Sequence, residues 1–556
     1  MKIALNNYEE VVNKAISIIE SEKIINRIWE KDYTVWRNDP KEISNRLGWL
    51  DCVDVTSRSF KKINSFVNEV RAEGFTQALL IGMGGSSLAP EVFRLIFGVK
   101  KGYLDFSVLD STHPDAVKEM SEKLNIENTL FIVSTKSGGT IETISFMKYF
   151  YTEVVKKLGT EKAGSHFIAI TDPGSGLEKM AKELNFLKIF LSDPNIGGRF
   201  SALSLFGAVP AASVGINLDK FFNRADKMVN ECKLQDVSKN SGAMLGAIIG
   251  TLAKEGIDKL TILSSSKLKY FGAWLEQLIA ESTGKDGKGI LPVDLEPISS
   301  IENFSGDRIF VYLKLENESS NDEIINDIKE TNFPFIEITL NDVYDLAGEF
   351  FRWEFATAIA GYVLDVQPFD QPNVESAKVA AKEMMKEYQQ KGELPKLLPS
   401  VEMNNIKIFG DLQSRNISEA INTFVARAAK GKSYISIQAY LKPDDKTRHA
   451  LQYFRSKIIN EYQATVTLGY GPRFLHSTGQ LHKGDGGNGL FIQIIDAGSE
   501  DVAIPLSAGD EKSEITFGTL INAQSLGDRQ ALMDNGREVL RLELSGNVDE
   551  SILQLI

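Results

Sequence analysis

The chain has 556 residues, of which 43% are hydrophobic and 25% charged, and its formal net charge is −13. A chain of this length exceeds one hydrophobic core, so two to four domains are expected. The acidic balance argues against nucleic-acid or membrane-surface partners, and no apolar run of about 20 residues predicts a membrane span. Two distant cysteines without metal-ligand spacing, and an N-terminus without an apolar signal region, indicate a cytoplasmic protein.

Apolar side chains recur at helical spacing in residues 8–22 and 60–72, so residues 1–72 are predicted to form a helical segment. Short apolar runs and helical segments then alternate, which predicts α/β domains with parallel sheets over residues 73–215 and 216–398. A proline-containing linker ends near residue 399. The remaining residues, 399–556, predict a further α/β domain with strands near 434–440, 464–468, 490–494 and 539–543.

A strand, a hydroxyl-rich loop and a helix follow one another in residues 130–143, LFIVSTKSGGTIET. The loop amides, the helix dipole and the hydroxyls of Thr135, Ser137 and Thr140 favour an anion. Lys136 adds one cation without forming a Mg²⁺ site. The pattern predicts a phosphomonoester site. A capped loop without a ligand is the alternative, because Ser, Thr and Gly are common in such loops.

A second glycine-rich loop, GMGGSS at residues 82–87, follows the first strand of the same domain. It resembles a dinucleotide-binding fingerprint, but Ser87 occupies the position of the third glycine. Asp105 and Asp110 are poor fits to the acidic position that the fingerprint requires. A nicotinamide site is therefore not predicted, and the loop is interpreted as a second backbone cradle facing a polar ligand.

Three further segments carry charged groups that could act in chemistry. Arg199 follows two glycines in GGRFS, although an arginine in a surface turn is the common alternative. Glu281 is predicted in the last turn of an amphipathic helix, where the helix dipole raises the pKa of a carboxyl and favours a general base. An exposed glutamate near a helix end is the alternative, and in an arbitrary helix it would be the preferred interpretation. Gln371 and Lys378 belong to FDQPNVESAK, in which an ordinary solvated lysine is the alternative.

Four segments resemble, in this order, those of glucose-6-phosphate isomerases: STKSGGTIET, GGRFS, EQLIAESTGKDGKG and FDQPNVESAK. The resemblance covers about residues 75–390 and implies two sugar-isomerase domains, each a parallel sheet flanked by helices. It implies the glycolytic and gluconeogenic isomerisation of glucose 6-phosphate and fructose 6-phosphate through a cis-enediolate, without a metal or organic cofactor. The segment TLGYGPRFLHSTGQLHKGDGGNGLFIQI resembles the isomerase half of transaldolase–glucose-6-phosphate isomerase fusions.

The resemblance also implies residue roles. Substrate binding falls to two loops and one glutamine: Gly85, Ser86, Thr135, Lys136, Ser137, Gly139, Thr140 and Gln371. Glu281 corresponds to the base that moves a proton between C1 and C2, Arg199 to the cation that steadies the enediolate, and Lys378 to the lysine near the ring oxygen. These roles agree with the chemistry, because the reaction needs one carboxylate for a carbon-bound proton and a fixed cation for the oxyanion.

One departure from the family concerns histidine. The family carries a ring-opening histidine between the base and the C-terminal lysine, whereas this chain has none between Glu281 and Lys378. Lys378 with water could fill the role, or the C-terminal segment could supply His476 or His482. We favour His476, because the apolar pair before it could anchor it; a structural loop is the alternative.

Two other functions stay open at this stage. A sugar-phosphate sensor would need the phosphate loop but not Glu281, Arg199 and Lys378 together, so catalysis is favoured. An isomerase for another phosphosugar, such as mannose 6-phosphate, would use the same scaffold. The resemblance also suggests a homodimer, although the additional C-terminal domain could block or replace that contact.

Overall fold

The computed structural model describes residues 1–298, 300–318 and 322–555. The chain opens with a short strand, which the sequence did not predict, and continues as predicted with helices. These elements are β1 (Lys2–Ala4), α1 (Glu9–Ser21), α2 (Ile24–Trp29), α3 (Cys52–Ser57) and α4 (Phe60–Ala72). β1 carries too few residues for a pattern, and it forms only by pairing antiparallel with the strand Phe335–Leu340, far along the chain.

The next elements form a parallel five-stranded sheet in the order β3-β2-β4-β5-β6. Its strands are β2 (Gln77–Gly82), β3 (Asp105–Leu109), β4 (Thr129–Ser134), β5 (Phe167–Thr171) and β6 (Lys188–Leu191). Its helices are α5 (Leu88–Phe97), α6 (Pro114–Lys123), α7 (Ile141–Leu158), α8 (Thr160–Ala163), α9 (Gly176–Glu183) and α10 (Leu205–Ser213). The sequence prediction lacked β6, a four-residue edge strand.

A second sheet has the order β1-β10-β9-β7-β8, with all pairs parallel except that of β1. Its strands are β7 (Lys259–Ser264), β8 (Leu291–Val293), β9 (Arg308–Leu315) and β10 (Phe335–Leu340). Its helices are α11 (Leu218–Cys232), α12 (Ser241–Lys254), α13 (Gly272–Thr283), α14 (Asp322–Lys329), α15 (Leu346–Leu364) and α16 (Val374–Lys391). The two sheets confirm the predicted α/β fold.

The C-terminal unit, residues 401–555, contains a six-stranded mixed sheet in the order β11-β12-β18-β15-β13-β14. Its strands are β11 (Val401–Met403), β12 (Ile406–Phe409), β13 (Tyr434–Tyr440), β14 (Thr465–Tyr470), β15 (Gly489–Asp496) and β18 (Glu538–Leu544). A separate hairpin consists of β16 (Ala503–Pro505) and β17 (Ser513–Thr516). The helices are α17 (Ile417–Val425), α18 (Asp445–Tyr462), α19 (Gly479–Gly484), α20 (Phe517–Asp534) and α21 (Val548–Leu553).

One continuous apolar core joins the N-terminal helices to both parallel sheets. Three tryptophans of the N-terminal segment contact this core. Trp29 stacks on Phe351, Trp49 is fully buried, and Trp36 donates its indole N–H to the Ala358 carbonyl at 2.9 Å. Because burial of one such side chain contributes about 1.5–3 kcal/mol, these contacts fix the segment firmly. The domain boundaries after residues 72, 215 and 398 stay predictions.

In the described residues, no helix is both long enough and apolar enough to cross a bilayer.

Candidate active site

The hydroxyl-rich loop lies between β4 and the N-terminus of α7. Thr140 precedes the helix without capping it, so its side chain leaves the first helical amides uncapped. The hydroxyls of Thr135 and Thr140 lie 3.2 Å apart, and exposed Ser137 accepts the Gly139 amide at 3.2 Å. Gly138 has φ +73°, and a Cβ there would lie 2.1 Å from the Leu177 amide nitrogen. The loop is therefore a fixed cradle of amides and hydroxyls suited to a phosphate.

Lys136, predicted as the cation of this cradle, is already engaged. Its amine pairs with the Asp172 carboxylate and donates to the Pro194 carbonyl at 2.8 Å. Burial raises the pKa of Asp172 while the nearby lysine opposes that effect. Lys136 therefore ties the loop to the segment that follows β6, so its contact with a phosphate would require this pair to open.

The glycine-rich loop after β2 packs against the arginine-bearing turn. A Cβ on Gly85 would lie 2.0 Å from the Gly198 carbonyl oxygen, so only glycine permits this approach. Buried Ser86 accepts the Ser134 hydroxyl at 3.2 Å through its carbonyl, which links the loop to the end of β4. The loop thus joins the phosphate cradle to Arg199 along one edge of the first sheet.

Arg199 is 2% exposed. Its guanidinium donates four hydrogen bonds, to residues 368–371 and to α13. Its Nε donates to Ser282 Oγ at 2.7 Å, Nη1 to Gln371 Oε1 at 3.0 Å, and Nη2 to the carbonyls of Pro368 and Asp370 at 2.6 and 3.0 Å. These bonds fix the guanidinium in one orientation. Buried and preorganised, it is a stationary positive charge rather than a surface arginine.

Glu281 lies in the last turn of α13 and is 5% exposed. Its Oε1 is 3.5 Å from Arg199 Nη1, whereas Oε2 has no hydrogen-bond partner among the described residues. Burial raises the pKa of this carboxyl, and the Arg199 charge partly opposes the rise. A buried carboxylate with one free oxygen beside a fixed cation is equipped to exchange a proton with a bound molecule.

Gln371 and Lys378 lie at the rim of the same cluster. Gln371 accepts Arg199, as described above, and is exposed at its other end. Lys378 is half exposed on α16, with Nζ 3.6 Å from Glu375 Oε2. Its charge is among those that lower the pKa of Glu142, the second residue of α7, after the larger effect of His476.

His476 reaches the cluster from the C-terminal unit. It ends the short 3-10 helix Arg473–His476, and its carbonyl accepts the Gln277 amide at 2.7 Å, one helical turn before Glu281. Its ring Nε2 is 2.8 Å from Glu142 Oε1. Although burial alone would raise the pKa of Glu142, the His476 charge and hydrogen bond hold it below the ordinary value.

His482, the other predicted histidine, does not lie in the cluster. It is 2% exposed inside the C-terminal unit, where its ring nitrogens lie 3.5 Å from Ser436 Oγ and 3.4 Å from Gln438 Nε2 on β13. Burial lowers its pKa well below the usual range. The structure places it on α19 with its ring against β13, so the prediction that it lies in the site is wrong and the structural alternative fits this residue.

Four residues that the sequence analysis missed also meet here: Glu142, Ser282, Lys285 and Gln524. Lys285 is buried, its amine bonds Asp370 Oδ1 at 2.7 Å, and burial lowers its pKa to about 8. Glu142 lies in the segment STKSGGTIET and Ser282 in EQLIAESTGKDGKG. Their motifs could therefore have identified both residues from the sequence. No sequence motif points to Gln524. It lies on α20, far along the chain, and donates to Glu142 Oε1 at 2.7 Å because the tertiary fold brings the two together.

Outside this cluster, one group of potential metal ligands occurs among the described residues, formed by His113, Asp115 and Asp496. His113 Nε2 lies 3.3 Å from Asp496 Oδ2, and neither ring nitrogen has a hydrogen-bond partner among the described residues.

The two parallel sheets flanked by helices, with the loop cluster at their edges, have the arrangement expected of a sugar-isomerase fold. A model of the phosphoglucose isomerase family matches residues 30–291. A probable glucose-6-phosphate isomerase of Methanococcus maripaludis is 28% identical over 410 residues, which cover 66% of this chain and 88% of the relative. A glucose-6-phosphate isomerase of Prochlorococcus marinus is 26% identical over 496 residues, covering 80% and 94%. Residues 30–291 of this chain are therefore similar to the phosphoglucose isomerase family.

Similarity to solved structures concerns the fold alone. The crystal structure of a glucose-6-phosphate isomerase from Chlamydia trachomatis superposes with a TM-score of 0.59 at 18% identity, covering 69% of this chain and 87% of that one. A crystal structure of a hypothetical protein from Thermus thermophilus gives the same TM-score at 23% identity, covering 69% and 100%.

Proposed function

We propose that this protein interconverts glucose 6-phosphate and fructose 6-phosphate by transferring a proton between C1 and C2. The observation that carries the proposal is the pair Glu281–Arg199, a buried carboxylate with one unpartnered oxygen 3.5 Å from a buried guanidinium. The relatives named glucose-6-phosphate isomerase support the choice of substrate.

The phosphate binds in the cradle between β4 and α7, where Ser137, Thr140 and the first amides of the helix supply donors. The phosphate does not react. Its binding orients the sugar, and the resulting energy can be used in the transition state.

Ring opening needs a proton donor at the ring oxygen and an acceptor at the anomeric hydroxyl. His476 serves here, because imidazole exchanges protons near neutral pH and Glu142 fixes its orientation. Lys378, whose charge acts on Glu142, is the alternative acid. Substitution of each residue distinguishes His476 from Lys378. Loss of the group that opens the ring slows the reaction of cyclic sugars but spares an open-chain substrate.

In the isomerisation step, Glu281 Oε2 removes the proton from C2 of the open aldose. The electron pair of the broken C–H bond enters the enediolate, and the aldehyde oxygen at C1 becomes an oxyanion that the Arg199 charge stabilises. The same carboxyl returns its proton to C1. The C2 oxygen becomes the ketone oxygen as its proton passes to the oxygen at C1.

The test is an enzyme assay on purified protein with fructose 6-phosphate and, separately, mannose 6-phosphate, with detection of glucose 6-phosphate by a coupled dehydrogenase. Turnover of fructose 6-phosphate supports the proposal. Binding of sugar phosphate without turnover would instead identify a sensor. Glucose 6-phosphate formed from mannose 6-phosphate as well as from fructose 6-phosphate would identify a wider substrate range. A mannose-specific reaction would contradict the proposal.

A further inference from the structure

The C-terminal unit docks on a short buried segment of the first sheet unit, residues 110–113, which follows β3. All four of its residues are buried and polar. Arg473 donates twice to the Asp110 carboxylate, both at 2.7 Å, Thr112 donates to Gln524 at 3.0 Å, and His113 lies 3.3 Å from Asp496. Because buried polar groups are costly without partners, these contacts require the C-terminal unit in this place.

The same docking holds the histidine-bearing turn at both ends. Arg473 begins the turn and is anchored to Asp110, which also accepts the Ser87 hydroxyl at 3.1 Å. His476 ends the turn, and its carbonyl is held by Gln277 of the base-bearing helix. With both ends fixed, the imidazole between Glu142 and the cradle has little freedom to move.

We propose that each chain completes its own active site: the C-terminal unit, docked on residues 110–113, delivers His476 in cis, and Arg473 is the residue that positions it. This inference rests on the proposed function. Arg473 acts through the turn that carries His476 and is thus a positioning residue, whereas His476 itself contacts the reacting sugar.

Complementation distinguishes a site within one chain from a site shared between two copies. Glu281→Gln and His476→Ala chains are expressed separately and, with different tags, together in one cell. We expect each variant alone to turn over fructose 6-phosphate slowly, and the co-expressed preparation to show only the average of the two rates. Restored activity in the co-expressed preparation would mean that mixed dimers carry an intact site, which would overturn the inference but leave the proposed function in place.

If Glu281→Gln alone keeps normal turnover, the proposed function loses its base and the inference that rests on it falls too. Failure of the proposed function thus appears in the Glu281→Gln variant alone. Failure of the inference about a site within one chain appears only in the co-expressed preparation.

The positioning role is tested with Arg473→Gln combined with Asp110→Asn, which keeps an amide pair at the buried position and avoids an unpaired charge. We expect kcat for fructose 6-phosphate to fall about 10²-fold, the usual cost of displacing a catalytic group by about 1 Å. Inhibition by inorganic phosphate should stay unchanged. The rate with 5-deoxyfructose 6-phosphate, which lacks the hydroxyl that closes the furanose ring, should also be preserved.

A matched control lies in the same interface. Lys118 and Glu500 form an exposed ion pair at 2.6 Å between the first sheet unit and the C-terminal unit. Lys118→Gln with Glu500→Gln should leave both rates unchanged. A normal kcat for cyclic fructose 6-phosphate in the Arg473–Asp110 variant would overturn the positioning role, and equal losses on both substrates would assign Arg473 to general structure instead.

Discussion

Glu281 and Arg199 show how two ordinary residue types become a reactive pair. Neither is unusual in sequence, where a glutamate near a helix end and an arginine after glycines are common. Burial changes their behaviour, because the low-dielectric surroundings raise the pKa of Glu281 and leave Arg199 as its principal opposing charge. The site therefore combines a proton acceptor and a fixed cation in one small volume.

The base assignment predicts that Glu281→Gln lowers kcat by about 10²–10⁴-fold, the usual contribution of general acid–base catalysis. Binding of a phosphosugar inhibitor should stay nearly normal, because the amide has the size of the carboxyl. Steady-state kinetics and inhibitor titration measure both quantities. Glu255→Gln, at the exposed end of α12, is the control, and a Glu281 variant as active as this control would contradict the assignment.

The raised pKa of Glu281 predicts a pH dependence. Only the unprotonated carboxyl can take the proton, so activity is present above the pKa of Glu281 and is lost as the pH falls through it. The acid limb of kcat/KM should therefore lie at higher pH than the value of about 4.3 for an ordinary glutamate.

Arg199→Gln removes the charge that opposes this rise and should move the acid limb to still higher pH, with a lower plateau. The pH profiles of wild type and variant supply the measurement. A limb that stays in place in the variant would show that another group sets it.

At the scale of elements, the phosphate cradle depends on α7 more than on its lysine, because Lys136 is paired with Asp172. Ser137→Ala with Thr140→Ala should weaken the binding of substrate and of inorganic phosphate alike, since a hydrogen bond to a charged group contributes about 1.5–3 kcal/mol. Ser175→Ala is a matched control, because Ser175 caps the neighbouring helix α9 through the Glu178 amide. If phosphate inhibits the double variant and the control equally, the loop does not bind phosphate.

The contact between the two glycine loops makes another prediction. Gly85→Ala would place a Cβ 2.0 Å from the Gly198 carbonyl oxygen and displace the turn that holds Arg199. Overpacking of this kind costs about 1–3 kcal/mol of stability, and kcat should fall with it. Gly198→Ala is the control across the same contact, because its Cβ would meet nothing within 4 Å. Thermal unfolding and steady-state kinetics of the Gly85→Ala and Gly198→Ala variants measure both effects. Equal losses of stability and kcat in the two variants would count against the close contact at Gly85 as the cause.

At the scale of the whole molecule, delivery of His476 in cis makes each chain an independent catalyst. Activity per chain should therefore stay constant on dilution from micromolar to nanomolar concentration, whatever the oligomeric state. Activity that declines on dilution, in parallel with a mass falling to the 61.6 kDa of one chain, would mean that sites are shared. Sedimentation at the same concentrations also tests the expected homodimer, which a single-chain mass at micromolar concentration would contradict.

Much of the fold was predictable because local patterns and tertiary structure agree. Helix α4 and strand β13 have the predicted bounds, since the amphipathic spacing of one and the apolar run of the other already specify them. The short strands β1, β6 and β8 were missed, because three or four residues carry no period and owe their structure to pairing with distant strands.

The sequence by itself predicted the cradle, the arginine and the base, because each belongs to a short motif whose residues are close in the chain. The tertiary structure decided which histidine lies beside the predicted cluster. His476 and His482 lie six residues apart in similar polar, glycine-rich surroundings. Yet His476 contacts Glu142 of the first sheet unit, whereas His482 is buried between α19 and β13 of its own unit. Only long-range packing, through contacts such as Arg473–Asp110, separates them, because no local pattern encodes the direction in which a docked loop points.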